Sequence, residues 1–164
     1  MKILASIFYI GFFVMYFSSC SNDTSKGNET NANFTQESYN HSPDEMEALA
    51  LLNEYRVSKN LPTLQVIEHI SFVASTHNDY MIANNTLNHD NFEERQANMV
   101  TVLNAYKVGE NVASGHNPIA EIVAAWTNSN GHKNIIEGDY THFGIAITTN
   151  AAGKKYVTNI FIKK

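Results

Sequence analysis

From Met46 onward, apolar residues fall three and four apart, the spacing that gathers them on one face of a helix. Met46, Leu49, Ala50, Leu52 and Tyr55 form the first such stripe. Its start carries three signals: Ser42 as N-cap, Pro43 at the first helical position and Glu45 placed to close a capping box. Leu61-Pro62 stops it just after Lys59-Asn60. A second helix is predicted from about Ile67 to Asn84, with Ile70, Val73, Ala74, His77, Tyr80 and Met81 along one face. Asn84-Asn85 ends it. A shorter run of weaker period covers Glu93 to about Asn104. A fourth helix starts with Asn117 as N-cap and Pro118 at the first position, buries Ile119, Ile122, Val123 and Trp126, and can end on a left-handed Gly131.

Elsewhere the period shortens to two. Tyr106 to Ser114 reads as a strand, as do Phe143 to Thr149 and Lys155 to Ile162. Asn150 to Gly153 supplies turn residues, so the last two strands should pair as an antiparallel hairpin. Four helices with three strands predict an α+β layered domain, the helices covering the sheet.

The chain has 164 residues, 43% of them hydrophobic, which is enough for one folded core. Its net charge is −5 and its basic residues are scattered, which excludes the positive footprint a nucleic-acid partner requires. The first twenty residues read differently from the rest. Lys2 precedes an apolar run of about fifteen residues, short for a membrane span of about twenty, and Ser18-Ser19 stand directly before Cys20. Residues 1–19 therefore read as an export signal, with a membrane anchor helix as the plainer alternative. The pattern resembles a bacterial lipobox, in which Cys20 is lipidated and anchors the mature chain to a membrane of the cell envelope. Cys20 is the only cysteine, so no disulfide is available to the domain. Asn, Ser, Thr and Gly dominate the stretch to His41, so residues 20–41 read as a flexible tether and 42–164 as the domain.

Several residues could carry chemistry, and each has a plainer reading. His89 sits on the irregular Leu87-Asn88-His89-Asp90 segment, where most histidines are solvated. Glu110 follows Gly109 in a strand, either as an edge residue or as a fixer of its loop. His132 follows Gly131, where a cation can simply favour a helix C-terminus. His77 reads as a core residue, and His116 and His142 as turn residues.

Their order along the chain says more than any one of them. Leu52-Asn53-Glu54-Tyr55-Arg56, Ala74-x-x-His77-x-x-x-Met81, Asn88-His89-Asp90, Gly109-Glu110-Asn111-Val112, Trp126-x-x-Ser129 with Gly131-His132-x-Asn134-Ile135, and Phe143-Gly144-Ile145 occur in that sequence. In this the chain resembles the CAP superfamily of cysteine-rich secretory, antigen 5 and pathogenesis-related 1 proteins, in its cysteine-free bacterial form. The resemblance runs from about Asp44 to Ile162. It implies an α-β-α sandwich with about four helices on a three-stranded antiparallel sheet, and a large cleft holding two histidines and two glutamates. Carried over, these fall on His89, Glu110 and His132, while Ser129 stands where the second glutamate belongs.

Two imidazoles can bind a zinc-like divalent ion. With a serine in place of one carboxylate, the metal expected at His89 and His132 is weakly held. Asn111 and Asn134 are expected to pin the loops beside the cleft. Two functions follow, with a purely structural or interaction role as the remaining reading. One is a binding module whose cleft of His89, Glu110, Ser129 and His132 takes a small-molecule, lipid, glycan or peptide ligand. The other is a hydrolase in which Glu110 is the general base for a metal-assisted attack by water. Because these groups are expected on a water-filled cleft, their substitution is expected to leave stability nearly unchanged.

Overall fold

The computed structural model describes residues 35–164. The expected export signal, Cys20 and the expected tether as far as residue 34 lie outside them. Five helices and four strands follow in the order α1 (Pro43–Ser58), β1 (Gln65–Val66), α2 (Glu68–Ala83), α3 (Phe92–Leu103), β2 (Lys107–Gly115), α4 (Ile119–Asn128), α5 (Asn130–Ile136), β3 (His142–Thr149) and β4 (Lys155–Lys163). No helix among the described residues is long and apolar enough to cross a membrane.

The strand order is β1-β3-β4-β2. β4 is antiparallel to both β2 and β3, with Glu110 opposite Ile160 and Ile145 opposite Asn159. Both faces of β4 are covered, which is why KYVTNIFIK is apolar almost throughout. Phe143, Ile145, Val157 and Phe161 point to one side, against Leu49, Leu52, Ile122, Val123 and Ile136 of α1, α4 and α5. Ala146, Ile160 and Ile162 point to the other, against Ile70, Val73 and Ala74 of α2 and Met99 of α3. Each fully buried side chain of this size stabilises the fold by roughly 1.5–3 kcal/mol. Gly144 lets α2 lie directly on β3: a Cβ there would sit 2.6 Å from the Ser71 nitrogen and 2.8 Å from Ile70 Cβ.

The sheet differs from the three antiparallel strands expected. β1 adds a parallel edge, Gln65 pairing with His142 and Val66 with Phe143. Two residues are too few to show a period, so composition could not reveal it. The capping box at Ser42 and Glu45 is present, and Glu45 also accepts from Tyr39 Oη and the Ile147 nitrogen, each at 2.7 Å.

Those contacts shorten the tether. Thr35 to His41 form no helix or strand, yet Glu37 N donates to His69 Nδ1 at 2.9 Å and His41 Nε2 lies 2.8 Å from Ser71 Oγ. These residues therefore belong to the folded unit, which begins before Ser42.

The fourth helix is split in two. Pro118, not Asn117, is the N-cap, and Asn117 instead donates from its amide to Glu121 Oε2 at 2.7 Å. Ser129 is extended, with φ −95° and ψ 123°, which ends α4 at Asn128. α5 starts at once, so Gly131 lies inside a helix rather than closing one, and the only described glycine at positive φ is Gly153 in the hairpin turn. This break carries His132 onto α5 and turns Ser129 toward it.

Candidate functional site

The loop between α2 and α3 is tied at several points before any functional group is considered. Asn88 donates from its amide to Asp90 Oδ2 at 2.6 Å, and Asp90 N donates back to Asn88 Oδ1 at 3.2 Å. Tyr80 Oη donates to Asp90 Oδ2 at 2.9 Å, which raises the tyrosine pKa. From beneath, His77 Nε2–H donates to the Asn88 carbonyl at 3.0 Å. That leaves His77 Nδ1 a buried lone pair without a partner. The loop so held presents His89.

β2 presents Glu110 to the same place. His89 Nδ1 lies 2.8 Å from Glu110 Oε1, and because a carboxylate only accepts, the Nδ1–H donates. Nε2 is then the bare nitrogen of the neutral ring. Arg95, in the first part of α3, grips the same carboxylate with two bonds: Nε to Oε2 and Nη2 to Oε1, each 2.7 Å. Its Nη1 donates to the Asp90 carbonyl at 2.7 Å. The side chains of Arg95 and Glu110 are 8% and 1% exposed, while that of His89 is 53% exposed. Gly109 leaves room beside them, since a Cβ there would push the Tyr140 hydroxyl aside.

His132 forms a second pair. Its Nδ1 lies 2.9 Å from Ser129 Oγ, and its ring stacks on Trp126 with centroids 6.2 Å apart. Trp126 Nε1 donates to the Val112 carbonyl at 3.3 Å and Asn111 Nδ2 to the His132 carbonyl at 3.2 Å, fixing α4 and α5 against β2. Asn111 thus has the pinning role expected of it. Asn134 is exposed, and no side-chain hydrogen bond holds it among the described residues. Burial pushes the His132 pKa below its usual value, the neighbouring His89 adds to this, and the Val112 carbonyl opposes it.

The four residues expected around one cleft divide between two hollows. Ser129 and His132 line a cavity of about 610 Å³ together with Leu87, Val112, Glu121, Ile122, Ala125 and Trp126. His89 and Glu110 border a second hollow of about 430 Å³ with Phe92, Glu93 and Ile135. Glu110 is not free for the general-base role expected of it, because Arg95 and His89 take both oxygens and solvent does not reach them.

The same bonds decide the fit of a metal. Among the described residues no group of three or more His, Cys, Asp or Glu side chains could hold one. A zinc site with chemistry to do takes three protein ligands. Here Glu110 is engaged, Ser129 replaces the second carboxylate and only the two imidazoles remain, so the donor set does not fit a resident divalent ion.

Arg95 was not singled out by sequence. It lies among Glu93, Glu94 and Gln96 on a weakly periodic helix, and reads as a solvated charge. The one available signal was its isolation as a cation in an acidic first turn, where the helix dipole disfavours it unless a carboxylate is near.

His77 yields a pH prediction. Its pKa is lowered, first by burial and then by the charges of Arg95 and His89, with the Asn88 carbonyl and Glu110 opposing. The folded ring stays neutral where the unfolded one, with an ordinary value of 6.5, takes up a proton. The stability it contributes is whole above that value and is lost as pH falls below it. Urea midpoints between about pH 7.5 and about pH 5.5 should therefore drop for the wild type and drop less for His77→Gln. Equal drops in both would remove His77 from the account.

An α+β sandwich carrying a histidine–carboxylate cleft between its helices and its outer strand defines the class of protein. The chain belongs to the cysteine-rich secretory protein family (CAP), whose family model matches residues 49–161. It is 33% identical over 105 residues to the protein YkwD of Bacillus subtilis (strain 168), covering 62% of this chain and 41% of that one. The chain thus spans about two-fifths of that relative's length. Among solved structures, it shares the fold of an outer surface protein from Borrelia burgdorferi, with a TM-score of 0.69 and 21% identity over 79% of this chain and 98% of that one. An extracellular SCP-domain protein from Bacillus anthracis matches with a TM-score of 0.65 and 26% identity, over 77% of this chain and 45% of that one.

Proposed function

We propose that this chain is an exported CAP-domain binding protein, lipid-anchored to the cell envelope through Cys20, whose ligand enters the cavity beside Trp126. The carrying observation is the cavity itself. About 610 Å³ lies within the range of small-ligand sites, and its largely aliphatic and aromatic walls also carry Ser114, Asn117, Glu121, Ser129 and His132. Such a site suits a ligand with a large apolar portion and a polar head that can make several hydrogen bonds, which favours a lipid or an apolar peptide segment over a glycan. A neutral His132 beside a hydroxyl can donate or accept, so it imposes no charge on that head. Export rests on the N-terminal pattern and on relatives named as outer surface and extracellular proteins.

Trp126 is the only tryptophan and lines the cavity, so its emission reports occupancy directly. Titration with a panel of long-chain fatty acids, phospholipids, oligosaccharides and peptides should give a saturable change with the apolar members. Ala125 is exposed and opens onto the cavity, so Ala125→Phe should weaken that binding about tenfold or more with little change in stability. No saturable change with any member of the panel would remove the binding reading.

The hydrolase remains the second reading, with its base moved. His89, oriented by Glu110 at 2.8 Å, carries its bare Nε2 toward solvent, an arrangement suited to a general base. Turnover of a peptide or ester panel that His89→Ala abolishes in a folded protein would favour it.

A further inference from the structure

The cleft inherited from the family has a cation of its own. We infer that Arg95 stands in for the divalent metal in this chain, neutralising Glu110 and leaving no site for a resident ion. The inference concerns the His89–Glu110 hollow and does not depend on which ligand the Trp126 cavity takes.

Three observations carry it. The guanidinium binds Glu110 through two parallel 2.7 Å bonds, the geometry in which arginine matches a carboxylate best. Its third anchor, on the Asp90 carbonyl, belongs to the loop that holds His89, so the cation and the imidazole are set by one piece of chain. Both side chains of the pair are buried, so the charges act on each other with little solvent screening. A divalent ion arriving at His89 Nε2 would lie across the ring from Glu110, which holds Nδ1 and whose charge Arg95 already balances. It would also face a fixed positive charge behind that carboxylate, repelling it.

The second departure agrees with the first. Ser129 removes the other carboxylate, and its hydroxyl is turned to His132 Nδ1 rather than left open. The net charge that would attract a metal is therefore gone from both halves of the cleft. What remains of the histidine–carboxylate arrangement is a hydrogen-bonded imidazole fixed in one tautomer.

The test is zinc titration of the folded domain by calorimetry, with thermal melting as a parallel readout. The wild type should give no saturable heat at micromolar zinc, and its melting midpoint should be unmoved by zinc or by a chelator. Arg95→Ala should gain one saturable site, at least tenfold tighter than anything in the wild type, and Arg95→Ala with Glu110→Gln should lose it again. Because Arg95→Ala exposes a buried carboxylate to a loss of its partner, Arg95→Gln, which keeps much of the stem and one donor, serves if the alanine variant does not fold. Stoichiometric zinc binding by the wild type that His89→Ala abolishes would overturn the inference. So would an Arg95 variant that folds and binds zinc no better than the wild type.

Discussion

Glu110→Ala is expected to destabilise the domain by about 3–5 kcal/mol, the cost of leaving a buried charge without its partner. Arg95 would keep only the Asp90 carbonyl, with its side chain 8% exposed and water largely excluded. Against a total stability of about 5–15 kcal/mol for a domain of this kind, the loss is a large fraction. The sequence placed Glu110 on a water-filled cleft, where such a change would be nearly silent; the structure buries it, and the expectation reverses. His89→Ala is the control. That ring is half exposed, so the variant should lose about 1 kcal/mol or less. Replacing both partners, as Arg95→Met with Glu110→Leu, should recover most of the stability, because a buried pair and apolar residues of similar volume differ little. Urea unfolding of the four proteins decides it. A Glu110→Ala variant within about 1 kcal/mol of wild type would mean that the carboxylate is not the sole compensation for Arg95.

Arg56→Ala is expected to cost as much, through backbone rather than charge. Arg56 is 1% exposed at the end of α1. It donates from Nε to the Pro62 carbonyl at 2.9 Å and from Nη1 to those of Ile136 at 2.6 Å and Gly138 at 3.0 Å. Bonds to a charged donor contribute about 1.5–3 kcal/mol each, and the carbonyls left behind are poorly placed to find water. A loss of about 3–5 kcal/mol is expected. Arg56→Lys should fall between, since an ammonium cannot reach three carbonyls in one plane. The consequence reaches the cavity. Ile136 ends α5, and with Tyr55 Oη donating to Glu137 Oε1 at 2.7 Å, Arg56 is what holds that end while Asn111 holds His132. Hydrogen exchange should show α5 amides opening in Arg56→Lys while β4 stays protected. Unchanged protection of α5 would separate Arg56 from the site.

Much of the architecture was legible as periodicity. α1 and its capping box, α2, α3, β2 and the β3–β4 hairpin stand within a residue or two of where the sequence put them, because a helix buries a face that repeats at 3.6 and a strand reads as a β-branched and aromatic run bounded by turn residues. Failures came where a feature was too short to repeat. β1 has two residues, and α5 was hidden by reading Gly131 as an ending when the real break was a single extended serine.

The site divides along a similar line. Order of motifs along the chain was enough to place the protein in its family and to single out His89, Glu110, Ser129 and His132 as candidates, since identities and spacings are properties of one dimension. Which of these residues meet is not. His89 finds Glu110 across 21 positions, His132 finds Ser129 three residues away, and the two pairs face different hollows. Arg95 became part of the site only when the fold brought the start of α3 within reach of Glu110 on β2 and removed the water that would otherwise have solvated the charge. Burial is decided by every element at once, so a sequence can state that a cation is present, but only the folded chain states what it is paired with.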